Sequence, residues 1–424
     1  MDPESGRDEV TDLLMGNGRI LKIGPCDEQT LEEMGIHKAT LQEMKGKGLV
    51  AAPGFVDVHS HFRDPGFTYK EDILTGARAA AAGGYTSIVL MANTNPTVDN
   101  CETLSYVLEK GKQTGIHIYS CANVTRNMDG KEQTDFDALK EAGAVGFTDD
   151  GKPLMDADLL RAAMKDAARL GVPISLHEED PAYITLSGIN RGQVAEDLGL
   201  GSADRMAEAV MVKRDIAIAD ETGAILDVQH VSAKESVELI REARRKNPNI
   251  HGEATPHHFS LTEEAVREFG TNAKMNPPLR TEEDRQAILA AIADGTLDMI
   301  ATDHAPHSKE EKDREFAKAP SGIIGLETAF SLAITHLVKP GIIDLMTLLK
   351  RISYTPAQVY KLNAGFIREQ GPADVVLFDP EARKTYYSFQ SRSQNTPFAR
   401  IPLFGEVECT ICDGKIAYVR TMEG

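Results

Sequence analysis

Four histidines and two aspartates stand where short apolar runs end. His59 and His61 close Phe55-Val-Asp-Val-His59, and Asp149 or Asp150 follows Ala144-Val-Gly-Phe-Thr148. His177 closes Val172-Pro-Ile-Ser-Leu-His177, His230 closes Ile225-Leu-Asp-Val-Gln-His230, and Asp303 closes Leu297-Asp-Met-Ile-Ala-Thr-Asp303. Neutral imidazoles and carboxylates suit borderline divalent metals such as zinc. His59 and His61 are two apart, so on a strand their side chains share a face and can grip one ion. A carboxylate has two oxygens and can join two ions. Two adjacent metals can polarise a carbonyl and lower the pKa of a shared water, which is equipment for cleaving an unactivated amide. One histidine at a strand end is often merely polar. Six such residues at five strand ends form a pattern that chance seldom makes.

The elements around these residues must bring them together. From about residue 53 to 335, strand-like runs alternate with helical stretches, for example the helices 70–82, 101–114, 157–170, 203–222 and 282–293. The strands centre near residues 57, 88, 119, 146, 174, 227, 252 and 300. Eight strands alternating with helices predict an α/β fold, a (β/α)8 barrel, whose active site lies at the C-terminal ends of its strands. The ends of the chain are richer in short strands and glycine turns, such as Gly18 to Gly24 and Cys412-Asp-Gly-Lys-Ile416. They predict a small β-sandwich made from both termini. The expected division is residues 1–52 and 364–424 for the sandwich and 53–363 for the barrel.

Composition narrows the partners. The chain has 424 residues and a net charge of −19, which argues against nucleic acid or an anionic membrane. No apolar run is long enough to span a bilayer, and Met1-Asp-Pro-Glu-Ser5 lacks the core of a signal peptide. The five cysteines are scattered and odd in number, which fits a reducing cytoplasm. Cys409 and Cys412 form a CxxC inside a β-type run, where residues three apart face opposite ways, so the pair reads as strand filler.

Longer stretches resemble the dihydroorotases of the amidohydrolase superfamily, the bacterial type with an aspartate bridging ligand. They are Pro53 to Gly66 with His59-Ser-His61-Phe-Arg63, Met91-Ala-Asn93-Thr-Asn-Pro96, and Phe147-Thr-Asp-Asp150-Gly151. Others are His230-Val-Ser232, Met275-Asn276-Pro-Pro-Leu-Arg280, Ala301-Thr-Asp303-His-Ala-Pro-His307, Ser393 to Phe398 and Gly405-Glu-Val407. The resemblance implies two divalent metal ions, with zinc expected. His59, His61 and Asp303 would hold one, His177 and His230 the other, and Asp150 rather than Asp149 would join them. His61, Arg63, Asn93, Asn276, His307 and the Ser321-Gly322 backbone would hold the substrate. The implied reaction is reversible cyclisation of N-carbamoyl-L-aspartate to L-dihydroorotate in de novo pyrimidine (UMP) biosynthesis. It would use a hydroxide between the metals, with Asp303 as general base and then acid.

Two alternatives stand beside this reading. Hydantoinases and allantoinases are sister cyclic-amide hydrolases that usually bridge their metals with a carboxylated lysine, but 144–150 contains none and Lys152 lies past the turn. A non-catalytic scaffold of the same family would have lost ligands. The resemblance leaves room for a homodimer and for docking onto aspartate transcarbamoylase. It also implies a mobile loop at 308–316, and it keeps His257 and His258 for structure. His117 and His304 belong to no pattern. Two departures stand out. A Phe is usual where Ser321 stands, so that contact is expected through the backbone. A strand usually precedes the part matching Asp2 to Asp8, so either the native start is upstream or the sandwich has a bare edge.

Overall fold

The computed structural model describes residues 1–420. Both chain ends contribute to one β unit. Strands β1 (Leu13–Gly16) and β2 (Arg19–Ile23) form a hairpin, and β3 (Val50–Pro53) leads into the barrel. The barrel strands are β4 (Phe55–Ser60), β5 (Tyr85–Leu90), β6 (His117–Ser120), β7 (Pro173–Leu176), β8 (Ile225–Val228), β9 (Ile250–Ala254) and β10 (Met299–Ile300). The chain then returns as β11 (Val375–Thr385), β12 (Pro402–Cys412) and β13 (Lys415–Val419).

The barrel strands pair in parallel as β4-β5-β6 and β7-β8-β9-β10. The predicted strand at 144–148 fills the gap between them without forming a regular strand. Phe147 makes parallel bridges to Ala122 on one side and to Ile174 on the other. On the far side, Ser60 bridges His304, and the His61 amide donates to the His304 carbonyl at 2.8 Å. The ring is thereby closed, with eight chain segments in its wall. The predicted strand 297–302 shrinks to two residues, and Asp303 beyond it has a positive φ of 46°.

Helices start where side chains can cap them. Asp72 and Thr75 make a reciprocal capping box at the start of 73–82, and Thr281 with Asp284 does the same for 282–294. The predicted start at residue 70 is too early, because Asp72 supplies the cap two residues later. Glycines in the left-handed region, Gly171 and Gly295, end the helices 157–170 and 282–294.

β13, β12, β11 and β3 form an antiparallel sheet in that order, and β1-β2 packs on it. Alternation along the strands sorts the residues. Val375, Cys409 and Ile411 enter the small core with Ile20, whereas Val376, Phe378 and Cys412 join the main core. The expected edge is covered only in part. β3 is the terminal strand of the sheet, but the Met1 amino group donates to the Ala51 carbonyl at 2.6 Å and Asp2 accepts from the Ile367 amide at 3.0 Å.

One aromatic cluster fastens the sheet to the barrel. Phe330, on the helix Leu326–Ala333, stacks on Phe55 of β4 at 5.1 Å and meets Phe378 of β11 at 4.6 Å. All three rings are fully buried. We expect Phe330→Ala to cost about 3–5 kcal/mol, read as a shift of the denaturant midpoint. A loss below about 1 kcal/mol would show that the cluster does not hold the two parts together.

Candidate metal centre and active site

The six sequence-predicted ligands meet at the C-terminal rim of the barrel. Asp150 is at the centre. Its Oδ1 lies 3.5 Å from His59 Nε2, 3.8 Å from His177 Nδ1 and 3.9 Å from His230 Nε2. Its Oδ2 lies 3.4 Å from His61 Nε2. Asp303 Oδ1 is 3.1 Å from His61 Nε2 and 3.6 Å from His59 Nε2. The donor atoms fall into two ion-sized groups, His59-His61-Asp150 and Asp150-His177-His230, and Asp150 belongs to both.

Asp149 has a different task. Its carboxylate accepts from the Val124 amide at 2.9 Å, the Thr125 amide at 3.2 Å and the Thr125 hydroxyl, so it fixes the neighbouring loop. Lys152 points away as well, donating to the Met128 carbonyl at 3.2 Å.

Three rings are anchored from behind. His59 Nδ1 donates to Glu253 Oε2 at 2.9 Å, His61 Nδ1 to Asn93 Oδ1 at 3.0 Å, and His177 Nε2 to Glu179 Oε2 at 3.0 Å. With those N–H groups turned outward, the inward nitrogens offer lone pairs. They face carboxylate oxygens and one another, acceptor against acceptor, as where His177 Nδ1 lies 3.0 Å from His230 Nε2. His59 Nε2 is buried and has no hydrogen-bond partner. Such a set suits a cation, and nitrogen and oxygen donors of this kind fit divalent metal.

The electrostatics agree. Burial would lower the His59 pKa, but Glu253 and Asp150 outweigh it and raise it well above the usual imidazole range. The pocket therefore favours positive charge at that ring. Burial, then the His177 and His59 rings, hold His230 well below that range, so it stays neutral and keeps its lone pair.

The geometry is held under backbone strain. Arg63, His230 and Asp303 all have positive φ, at 56°, 33° and 46°. Non-glycine residues seldom adopt this region, and such outliers gather at functional sites.

The predicted substrate residues line the same rim. Arg63 is half-buried, and its Nε donates to the Pro306 carbonyl at 3.3 Å. Asn93 sits between ligands, donating from Nδ2 to Asp150 Oδ2 at 3.1 Å while its oxygen holds His61. Asn276 accepts from the Ser187 hydroxyl and lies 3.4 Å from His177 Nε2. His307 Nε2 donates to the Ser321 carbonyl at 2.8 Å. Burial, despite the nearby Glu311, lowers the His307 pKa to about 3, and its ring is neutral. At Gly322 (φ +113°) an added Cβ would meet the Ala305 Cβ at 2.6 Å, which only glycine avoids.

Several participants escaped the sequence reading. Glu253 and Glu179 hold the rings, yet a buried glutamate on a strand carries no signal of its own. Asn395, near the C-terminus, accepts from the His307 amide at 3.1 Å and donates to the carbonyls of Ala305 at 3.2 Å and Gly322 at 3.1 Å. His304 is buried and accepts from the Gly325 amide at 3.1 Å. His258 does serve structure, bonding to Thr255 Oγ1 at 2.7 Å and to the Pro277 carbonyl at 3.1 Å. The charged segment after His307 is docked. Lys312 donates to the Pro320 and Gly322 carbonyls, each at 3.0 Å, and Lys274 to those of Phe316 and Ala319, each at 2.7 Å.

Known proteins share this arrangement of chain and fold. Residues 48–236 match a family model described as Dihydro-orotase-like. The chain is 53% identical over 418 residues to a dihydroorotase of Clostridioides difficile strain 630, covering 99% of this chain and 97% of that one. It is 46% identical over 419 residues to a dihydroorotase of Lactococcus lactis, with the same coverage. The chain belongs to the dihydroorotase family. Among solved structures, an L-hydantoinase from Arthrobacter aurescens superposes with a TM-score of 0.83 at 21% identity, over 97% of this chain and 94% of that one. A dihydropyrimidinase from Brevibacillus agri gives 0.80 at 23%, over 96% and 91%. These likenesses establish the shared barrel and small β unit.

Because Glu253 fixes His59, Glu253→Ala should weaken metal binding roughly 10- to 100-fold in a chelator competition. Glu253→Gln, whose amide oxygen can still accept from His59, should lose less. Equal and unaltered affinity in both variants would remove Glu253 from this role.

Proposed function

We propose that the chain interconverts N-carbamoyl-L-aspartate and L-dihydroorotate, a step of pyrimidine biosynthesis, and that the rim residues described above do the chemistry. Family membership supports a cyclic-amide hydrolase, and Arg63 is the observation that points to the substrate. Its half-buried guanidinium lies beside Asp303 and Asp150, and among the described residues no carboxylate is within salt-bridge distance of it. Burial lowers its pKa, so its charge is poorly solvated. A planar guanidinium with no direct ion pair to a protein carboxylate suits a substrate carboxylate, which it can grip through two hydrogen bonds. Both proposed substrates carry one, whereas hydantoin and allantoin do not.

In this reading His59, His61 and Asp303 would hold one metal, His177 and His230 would hold the other, and Asp150 would serve both. When bound, the metals supply Lewis acidity at the ring carbonyl and a lowered pKa for the attacking water. The protein supplies orientation and proton transfer. Arg63, Asn93 and His307 hold the carboxylate and ring, with Asn276 and the Ser321-Gly322 backbone on the ring edge. Asp303 takes the proton of the attacking water and returns it to the leaving ring nitrogen, acting as base and then acid. Its side chain is 11% exposed, against 0–5% for the other five ligands, so it reaches the cavity best. Burial pushes its pKa up, but the His61 hydrogen bond and the neighbouring imidazoles outweigh this and keep it ionised. Ring closure runs the same steps in reverse. Zinc as the native ion, a homodimer and docking onto aspartate transcarbamoylase rest on the family resemblance, and metal analysis and solution mass would read them.

The selectivity test uses metal-loaded protein with dihydroorotate, hydantoin and allantoin. Turnover of dihydroorotate alone is expected, with loss of activity on chelation and recovery with zinc, manganese or cobalt. Preference for either uncharged ring would overturn the substrate assignment. Asp303→Asn should lower kcat at least about 100-fold while KM changes little. Metal content must be measured alongside, because Asp303 is also a ligand. Near-parental kcat in a metal-loaded variant would sink the proton-transfer role.

A further inference from the structure

We propose that the foot of the barrel carries a third metal site, a thiolate-containing one, built from His117, Asp374 and Cys412. It lies away from the rim: His117 is the first residue of β6, at the end of the strand opposite the active site. Asp374 immediately precedes β11 and Cys412 ends β12, so three separate chain segments converge. His117 Nε2 is 3.0 Å from Asp374 Oδ2, and one donor atom from each of the three residues lies within 4.8 Å of the others. Asp413 Oδ1 lies 3.7 Å from His117 Nε2 but outside that group of three.

The donor chemistry is that of zinc. Thiolate, imidazole and carboxylate all bind it at bond lengths near 2.0–2.3 Å, so donors around one tetrahedral ion sit roughly 3.4–3.7 Å apart. The His117–Asp374 separation of 3.0 Å is a little shorter than that spacing, and the thiol lies within 4.8 Å of both. The carboxylate is oriented in advance, because the Asp413 amide donates to Asp374 Oδ1 at 2.8 Å and leaves Oδ2 for His117. Strand alternation separates Cys412 from Cys409, which enters the small sandwich core, and delivers the Cys412 thiol to this cluster instead. That thiol is buried, and its hydrogen-bond partner is the Thr86 carbonyl at a long 3.9 Å. His117 and Asp374 alone would make an ordinary ion pair. The thiol beside them gives the cluster its affinity for a soft divalent ion. A metal here would tie the first half of the barrel to β11 and β12 of the sandwich.

The test exploits the chemical difference between the centres, since the rim offers only nitrogen and oxygen donors. Full-length protein stripped with a chelator is reloaded with Co2+. A third equivalent should bind, with near-ultraviolet thiolate-to-cobalt charge-transfer absorption. Cys412→Ser should abolish that absorption, and His117→Gln, which keeps the thiol, should weaken the third equivalent at least about tenfold. Both variants should keep two equivalents and the parental turnover, which also shows that they are folded. Two equivalents without thiolate absorption in the parent protein would overturn the proposal and leave the ion pair. So would a thiolate band that survives in Cys412→Ser.

Discussion

Six side chains that offer lone pairs to the same small volume repel one another unless a cation lies among them. That constraint shapes the rim of this barrel. The inward nitrogens of His59, His61 and His177 are set by what holds the opposite side of each ring: Glu253, Asn93 and Glu179. Each anchor fixes a tautomer and a direction. Glu253 also accepts from the His230 amide at 3.1 Å, so one buried carboxylate steadies parts of both ligand groups. Left-handed backbone at His230 and Asp303 completes the aim at a cost in strain. The surrounding barrel has to be rigid enough to hold that arrangement.

Rigidity comes from closure and from what lies behind it. Asp57, at the heart of β4, accepts from the Thr302 amide at 2.9 Å and from the hydroxyls of Ser60 and Thr302, joining the first and last barrel strands just below the ligands. The ring is sealed by the contact between Ser60 and His304, one residue from His59, His61 and Asp303. Placement of the candidate ligands and fold closure are thus the same local structure. The aromatic contact of Phe55, Phe330 and Phe378 then couples this strand to the sheet made from both chain ends.

Much of this was legible in the sequence, for identifiable reasons. A histidine pair after an apolar strand has one spacing and one face, so His59 and His61 announced themselves. Alternating strands and helices announced the barrel. The segment 144–148 was legible as a wall element although it pairs by single bridges, because its apolar pattern is that of a strand even where the ladder is irregular. Anchors were not legible. Glu253 and Glu179 differ from any surface glutamate only in what folds around them. Asn395 was visible within a family motif, yet its three hydrogen bonds join segments far apart in sequence. His117 was set aside for lack of a pattern, since its partners Asp374 and Cys412 lie on the last strands.

Asn395 and its neighbours also bear on the order of events during synthesis. The first ligands, His59 and His61, emerge from the ribosome early. Ser391, which hydrogen-bonds to Glu71, and Asn395, which secures His307, emerge when nearly the whole chain is made. A nascent chain can therefore expose metal-binding histidines long before the site that disciplines them exists. The segment between β11 and β12 that secures the rim is thus among the last parts of the chain to be made.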